Sequence, residues 1–203
     1  QGKGFSAGHN LKEINSLKKK TSYRKLFYDC SKLMMQITNH KKPIIAKVHG
    51  AAFAAGCQLV ASCDLAFSSS NAIFATPGVN IGLFCSTPMV ALSRKVNRKN
   101  SMKMLLTGEP IKALHAKNIG LINNFFPKQK LESEVIKIAK IITSKSNLVL
   151  KFGKDAFYKQ LEMPLDKAYK FTSEVMVKNI MTKDAKEGIN AFLEKKSPNW
   201  KNE

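Results

Sequence analysis

The chain has 203 residues, of which 44% are hydrophobic and 24% are charged. These proportions are ordinary for a globular protein, and the length allows one domain with a real core or two small ones. No stretch approaches the unbroken apolar length that spans a bilayer, so we expect no membrane span.

The charge is strongly basic, with 34 Lys and Arg against 14 Asp and Glu and a net charge of +20. A lysine-rich surface is typical of nucleic-acid binders, which release counterions from phosphate backbones. The same charge is compatible with binding of a phosphorylated small ligand. A third explanation is that the lysines only form a solvated surface. The lysines are spread over most predicted helices, and the aromatic–basic interleaving of RNA-binding sheets is absent. This dispersal favours the solvated surface and leaves RNA binding as an alternative.

The cysteines and histidines show none of the spacings that hold metals or redox centres. They are Cys30, Cys57, Cys63 and Cys85, and His9, His40, His49 and His115. The cysteines lack CxxC pairs and have apolar or small neighbours, which is typical of buried reduced thiols in a reducing compartment. The histidines form neither HxxxH nor HExxH, so we expect no metal site.

The first predicted elements alternate between helices and short strands. A loop at 1–12 opens the first helix, and a second helix covers 22–39. A strand at 44–48, a helix at 55–62 and two further strands at 64–67 and 73–75 follow. The helix over 22–39 is predicted because apolar residues recur at spacings of three and four from Tyr23 to Ile37. Pro43 ends that region before the first buried strand.

Helices dominate the rest of the chain. The pattern predicts helices over 88–92, 99–106 and 112–118, a strand over 121–126, and helices over about 129–144, 147–161, 165–182 and 184–195. The tail from Pro198 to Glu203 is predicted to be loose. Strands therefore crowd the first two-thirds of the chain and helices occupy the last third.

Two loops of small residues each precede a helix. The first reads GFSAGHNL at 4–11, and the second, VHGAAFAAGCQLVASCD at 48–64, joins a strand to a helix. Helix-terminal N–H groups lack internal partners, so small side chains let an anion or developing oxyanion reach the backbone. Close packing of helices is the alternative explanation for small residues. Neither loop matches a Walker loop or a GxGxxG fingerprint.

Several segments, in this order, resemble the crotonase family, the enoyl-CoA hydratase/isomerase superfamily. They are GFSAGHNLKE, KPIIAKVHGAAFAAGCQLVASCDLAFSS, FATPGVNIGLF, LLTGEPIKALHAKNIGLIN and EGINAFLEKKSPNW. The resemblance implies an α/β fold, a spiral of β-β-α units with a helical C-terminal region, assembled as trimers or pairs of trimers. It divides the chain into a crotonase core at 1–127 and a helical oligomerisation region at 128–203. Family members have further strands and a helix before the FSAG loop, so we expect that N-terminal unit to be missing here.

The resemblance also implies a binding site for a coenzyme A thioester, with no permanently bound cofactor. The backbone N–H groups of His9 and Ala55 would polarise the thioester carbonyl and hold the enolate. Residues of the same two loops would line the coenzyme A groove, and Lys12 would meet the adenosine phosphates. These groove residues are Ala7, Gly8, His9, Asn10, Leu11, Lys12, Ala55 and Gly56.

The chain departs from the family pattern where hydratases carry two glutamates beside the acyl double bond. The matching positions hold Gln58 and Gly78. An amide does not titrate near neutrality, so Gln58 cannot act as a general base, and Gly78 has no side chain. One positioned acid–base group contributes about 10²–10⁴-fold to a rate, so hydration should be weak or nil. Asp64 matches a framework position and is predicted to be structural.

Three functions therefore remain open. The first is an acyl-CoA-binding protein of fatty-acid metabolism with little or no hydratase activity. The second is a reaction that needs only enolate stabilisation, such as decarboxylation or thioester cleavage. The third is RNA binding through the basic surface, a second role of some family members. CQLVASCD, FATPGVN and GLFCSTP indicate a narrower likeness to a vertebrate mitochondrial member, which implies residence in the mitochondrial matrix.

Overall fold

A computed structural model describes residues 2–203; Gln1, the first residue of the predicted opening loop, lies outside the described residues. The chain packs as two compact units. The first runs to Thr38 and continues over Ile44–Val135, and the second comprises Asn39–Pro43 and Ile136–Glu203.

The first unit contains short strands and helices in alternation. Its helices are α1 (Leu11–Ser16), α2 (Lys20–Asn39), α3 (Ala55–Ser62), α4 (Ser86–Leu92), α5 (Arg98–Thr107) and α6 (Ala113–Asn118), with a 3₁₀-helix at Pro77–Ile81. Its strands are β1 (Ile45–Val48), β2 (Ala52–Phe53), β3 (Leu65–Ser69), β4 (Ile73–Ala75), β5 (Ile111–Lys112) and β6 (Asn124–Phe126). All the elements predicted from the sequence in this unit are therefore present.

The strands form two small sheets that fix where the loops lie. One sheet has the order β1-β3-β6 and is parallel throughout. The other has the order β2-β4-β5, with β2 parallel and β5 antiparallel to β4. The core lies between these sheets and the helices, and its most buried large side chains are Phe74, Leu92, Leu105, Val48 and Val60. The strand β2 is the one that brings the second small-residue loop into a sheet.

The second unit is helical, as the sequence predicts. Helix α7 (Leu131–Thr143) leads into it, and α8 (Asn147–Gln160), α9 (Leu165–Ile180) and α10 (Lys183–Leu193) follow. The buried apolar side chains of the last three helices are alanines: Ala156, Ala168 and Ala191. Large apolar side chains are instead exposed in this unit, among them Phe157, Leu161, Leu165, Tyr169, Met176, Val177, Ile180, Met181, Ile189, Phe192 and Leu193. None of the helices within 2–203 is long and apolar enough to cross a membrane.

The C-terminal tail is held in place, so the prediction of a loose tail is wrong. The indole N–H of Trp200 donates to the Ser144 carbonyl at 2.8 Å. The amides of Lys201 and Asn202 donate to one carboxylate oxygen of Asp184 at 2.7 and 3.0 Å. Asp184 is almost fully buried, and burying a carboxylate requires hydrogen-bond donors. The tail supplies those donors, which composition and position in the chain do not reveal.

Candidate functional site

The two small-residue loops run side by side. The amides of Phe5 and Ser6 donate to the Ala51 carbonyl at 2.8 and 3.0 Å, and the Phe53 amide donates to the Ser6 carbonyl at 2.8 Å. Ser6 thereby forms a parallel bridge with Ala52 of β2. The first loop therefore lies alongside β2 and parallel to it. The segments that lead to α1 and α3 begin next to one another.

Glycines let these loops touch backbone to backbone. Gly8 has φ +91°, and a β-carbon built on it would lie 3.1 Å from the Ala55 nitrogen. A β-carbon built on Gly56 would overlap the Ser6 carbonyl oxygen and lie 2.7 Å from the Ser6 β-carbon. Close packing therefore accounts for the glycines themselves. The same closeness places the first loop at the N-terminus of α3.

The two predicted donors lie where these loops meet. Ala55 is the first residue of α3, so its N–H has no acceptor within the helix. Among residues 2–203, neither the His9 N–H nor the Ala55 N–H donates a hydrogen bond. Ala54, which precedes Ala55, has φ 48° and ψ −117°, a conformation that L-residues rarely adopt. The backbone N–H of Ala54 donates to the Ala75 carbonyl at 3.0 Å. This strained turn sets the direction of the Ala55 N–H.

The predicted groove residues of the first loop are accessible to a ligand. Ala7, Asn10, Leu11 and Lys12 are exposed, and Gly8 and His9 are half-buried. The Asn10 side chain accepts from the Lys12 amide at 3.0 Å and so begins α1. This cap fixes the course of the segment that follows the His9 donor.

Helix α2 contributes two residues that the sequence analysis assigned only to its apolar face. The ring of Phe27 meets the His9 imidazole edge-on, with centroids 5.8 Å apart. One turn further along, the Cys30 Sγ lies 3.9 Å from Gln58 Oε1. Residues three apart share one face of a helix, so α2 turns one face toward both loops. The apolar spacing was the only sequence signal for these contacts, and it did not specify the partners.

Gln58 lies one turn into α3, on the same face as Ala55. Gln58 is 4% exposed. Its backbone N–H donates to the Ala54 carbonyl at 3.0 Å, and its backbone carbonyl accepts from the Ser62 hydroxyl at 2.8 Å. Its side-chain oxygen faces Cys30. Position 58 therefore presents an uncharged, buried amide beside the donor loops.

Gly78 lies in the 3₁₀-helix at Pro77–Ile81, directly after β4. A β-carbon built on it would overlap the Leu83 carbonyl oxygen and lie 2.9 Å from Cys85 Sγ. The Leu83 amide also donates to the Gly78 carbonyl at 2.9 Å, which holds that segment against position 78. No carboxylate fits at this position on this backbone.

The thiols and carboxylates near these elements do not form a base or nucleophile. Burial, with a smaller effect of the nearby Cys85, raises the pKa of Cys57 to about 12. Burial also raises the pKa of Cys85 and Cys30, so all three remain thiols at neutral pH. Asp64 accepts from the Ile44 amide at 2.6 Å, which fits the structural role predicted for it. No cluster of three His, Cys, Asp or Glu able to hold a metal exists within residues 2–203.

Comparison with known proteins identifies relatives of this arrangement. The enoyl-CoA hydratase/isomerase family profile matches residues 1–203. Human mitochondrial enoyl-CoA hydratase domain-containing protein 3 is 51% identical over 203 residues, which are 100% of this chain and 67% of that protein. The mitochondrial enoyl-CoA hydratase of Pongo abelii is 34% identical over 202 residues, 99% of this chain and 69% of that protein.

Solved structures agree with these sequence relations. The crystal structure of an enoyl-CoA hydratase of Mycobacterium smegmatis has a TM-score of 0.97 and 46% identity, covering 98% of this chain and 78% of that one. The crystal structure of human enoyl-CoA hydratase domain-containing protein 3 has a TM-score of 0.96 and 51% identity, and the match covers 98% of this chain and 79% of that one. The predicted crotonase fold and the narrower likeness to a mitochondrial member are confirmed. The chain belongs to the enoyl-CoA hydratase/isomerase family.

Proposed function

We propose that this protein binds acyl-CoA thioesters, with the N–H groups of His9 and Ala55 donating to the thioester carbonyl oxygen. The observation that carries this proposal is the contact between the loops, where Gly8 packs against the Ala55 nitrogen. Two unpartnered donors in adjoining loops are the arrangement that stabilises an oxyanion. Family membership adds that relatives with this fold are named for enoyl-CoA chemistry.

The coenzyme A moiety would extend along the exposed segment from Ala7 to Lys12. An ammonium group at Lys12 is a suitable partner for the adenosine phosphates, since phosphates pair favourably with lysine. The edge-on contact of Phe27 with His9 would help to hold this segment against α2. Coenzyme A is a substrate or ligand in this proposal and no further cofactor is involved.

Hydration of an enoyl thioester would be weak or nil. Gln58 offers an amide in place of a base, and the Leu83 carbonyl occupies the space that a side chain at Gly78 would need. A second candidate function follows from the same observation. Decarboxylation of a malonyl-type thioester generates an enolate without a general base, so the two donors alone would assist it. Thioester cleavage would need an activated nucleophile, which the buried, protonated thiols do not supply.

The proposed setting is fatty-acid metabolism in the mitochondrial matrix, in line with the names of the mitochondrial relatives.

The proposed assembly is a homotrimer or a pair of trimers. Its support is the apolar surface of α8 to α10, where Phe192 is 82% and Leu165 74% exposed. Light scattering behind a sizing column tests this assembly, and a monomer at micromolar concentration would contradict it. RNA binding rests on net charge alone, and affinity for RNA that ignores salt would contradict it.

Calorimetry with a medium-chain saturated acyl-CoA tests the proposed function. Ala55→Pro removes one of the two donors and should weaken binding about tenfold or more; a urea unfolding curve of the variant shows whether its fold is kept. The matched control is Arg98→Pro, which removes an N–H at the first position of α5, away from the site, and should bind as the wild type does. No binding by the wild type at millimolar ligand would overturn the proposal.

A spectroscopic measurement avoids the dependence on a folded variant. With an acyl-CoA labelled with ¹³C at the thioester carbonyl, infrared difference spectra report the strength of hydrogen bonding to that oxygen. We expect the carbonyl band to shift to lower wavenumber on binding, because two N–H groups polarise the bond. A bound ligand whose carbonyl band stays at its position in water would contradict the assigned donors.

A further inference from the structure

Helix α5 exposes a face that combines basic and large apolar side chains. Arg98, Met102 and Leu106 are spaced by four residues, and Lys99 and Lys103 form the adjacent row with the same spacing. Residues three and four apart are neighbours on a helix surface, so these five side chains share one face. All five are exposed, Met102 to 48% and Leu106 to 62%. These five residues are the α5 surface.

The two apolar side chains of the α5 surface take no part in the core of the first unit. The residues of α5 that are buried are Ser101, Met104 and Leu105. Met102 and Leu106 leave their apolar area in water between the basic side chains. A single exposed apolar residue needs no explanation, but two on one helix face form a patch that a partner can cover.

The exposed apolar area continues on the 3₁₀-helix beside the C-terminal end of α5. A β-carbon built on Gly108 would lie 3.1 Å from Val79 Cγ2, so the end of α5 and the 3₁₀-helix are in contact. Leu106 lies two residues before Gly108, and Ile81, which is 55% exposed, lies two residues after Val79. Large exposed apolar side chains therefore occur on both of these neighbouring segments.

The α5 surface lies in a part of the chain without acidic residues. There is no Asp or Glu between Asp64 and Glu109. The basic residues of this stretch are Arg94, Lys95, Arg98, Lys99 and Lys103. Within residues 2–203, Arg98, Lys99 and Lys103 form no ion pair, whereas several lysines on other elements pair with carboxylates. The α5 surface is therefore positively charged and has no carboxylate on its own helix.

We propose that the α5 surface binds an anionic phospholipid membrane. Its basic side chains would contact the lipid headgroups, and Met102 and Leu106 would enter the boundary between headgroups and acyl chains. Helices that lie in a membrane interface combine these two features, because apolar burial and attraction to anionic lipid add together. The proposed thioester function is not required for this binding.

The charge and the aliphatic side chains favour a membrane over two other partners. A second copy of the chain would bring the same positive surface at a net charge of +20, and like charges repel. RNA would pair with the basic groups, but its bases stack on aromatic or guanidinium planes and would leave Met102 and Leu106 without a partner. An anionic bilayer satisfies both kinds of side chain.

Co-sedimentation with lipid vesicles tests the proposal. Vesicles of phosphatidylcholine and phosphatidylglycerol in equal parts should carry the protein down at low salt, and added salt should release it. Vesicles of phosphatidylcholine alone should leave the protein in solution. Absence of binding to the anionic vesicles, or equal binding to both kinds, would overturn the proposal.

A pair of double variants separates the α5 surface from the overall charge. Lys99→Gln with Lys103→Gln should weaken vesicle binding roughly 25-fold, because each basic residue near an anionic surface contributes about fivefold. The matched control, Lys167→Gln with Lys170→Gln, removes the same charge at exposed positions of α9 and should bind nearly as the wild type does. Equal losses in the two variants would show attraction by net charge alone and would overturn the assignment to α5.

A third variant tests the apolar contribution. Met102→Gln with Leu106→Gln keeps the charge and should weaken vesicle binding about tenfold or more, because these side chains no longer favour the lipid boundary. Urea unfolding curves should match the wild type for all the variants, since every replaced side chain is exposed. Vesicle binding that is unchanged in this variant would make the α5 surface a general site for polyanions and would contradict the proposed lipid contact.

Discussion

The α-carbon of Gly78 faces the carbonyl oxygen of Leu83 so closely that a β-carbon on Gly78 would overlap that oxygen. The Leu83 amide donates back to the Gly78 carbonyl at 2.9 Å, so the two residues hold one another in a tight turn. The presence of glycine at position 78 is therefore coupled to the conformation of the following segment. A larger residue at position 78 therefore requires the segment around Leu83 to move as well.

Gly78→Glu should not restore hydration, even combined with Gln58→Glu. The new side chain must displace the Leu83 carbonyl, and overpacking of this kind costs about 1–3 kcal/mol of unfolding free energy. The measurements are the loss of enoyl absorbance with an enoyl-CoA and a urea unfolding curve. Substantial hydration by the double variant with unchanged stability would show that the turn yields easily, contrary to this account.

Gly56→Ala should separate the two loops and weaken thioester binding at least tenfold. The added methyl would overlap the Ser6 carbonyl oxygen and lie 2.7 Å from the Ser6 β-carbon. Since neither backbone segment can give way cheaply, we also expect a loss of about 1–3 kcal/mol in unfolding free energy. Calorimetry and urea unfolding measure the two effects.

Gly153→Ala is the matched control for the Gly56 substitution. Gly153 lies in α8, and a β-carbon built on it meets nothing within 4 Å. Alanine is favoured over glycine within a helix by about 0.5–1 kcal/mol, so this variant should be slightly more stable and bind normally. Equal effects of the two substitutions on binding would rule out a specific role for the contact between the loops.

The sequence predicted the elements that local pattern determines. Helix Ala55–Ser62 and strand Ile73–Ala75 have the predicted bounds, because apolar residues between small or turn-forming neighbours specify them. Strand β2, of two residues, was missed because so short a strand has no period of its own. Its identity comes from pairing with β4 and from the bridge to Ser6.

The residue types of the site were also predictable, but their contacts were not. Motif resemblance singled out Gln58 and Gly78 by position. The contact of Gln58 with Cys30 joins residues 28 apart in the chain, and only tertiary packing brings them together. The Leu83 carbonyl that closes position 78 belongs to a turn with no distinctive sequence signal. The sequence thus singled out positions 58 and 78, and the structure shows which groups surround them.

Ala54→Gly should stabilise the protein by roughly 1 kcal/mol. Ala54 has φ 48° and ψ −117°, and such a conformation costs an L-residue about 1–3 kcal/mol. Glycine adopts it freely, although its larger unfolded-state entropy offsets part of the gain by about 0.5–1 kcal/mol. The free energy of unfolding in urea is the measurement, and a loss of stability would mean that the alanine methyl packs well enough to outweigh the strain.

Acid should release the C-terminal tail through Asp184. Burial by itself would raise the pKa of Asp184, but hydrogen bonds from the Ser146 hydroxyl and the amides of Lys201, Asn202 and Glu203 lower that pKa below the ordinary range of an aspartate. A lowered folded-state pKa means that the stabilisation is fully present above the unfolded pKa and is lost as pH falls through the folded pKa. Stability should therefore be constant near neutrality and decline below about pH 4.

The protein's one tryptophan makes this acid transition directly observable. Trp200 donates to the Ser144 carbonyl at 2.8 Å, so its fluorescence reports whether the tail is docked. Asp184→Asn should show the undocked spectrum at neutral pH and lose roughly 1.5–3 kcal/mol of unfolding free energy, because the hydrogen bonds from the tail amides to a buried, charged carboxylate are lost. Asp166→Asn, at an exposed carboxylate of α9, should leave the spectrum and its acid transition unchanged. An Asp184→Asn variant with the wild-type acid transition would assign that transition to another carboxylate, since the substituted residue no longer titrates.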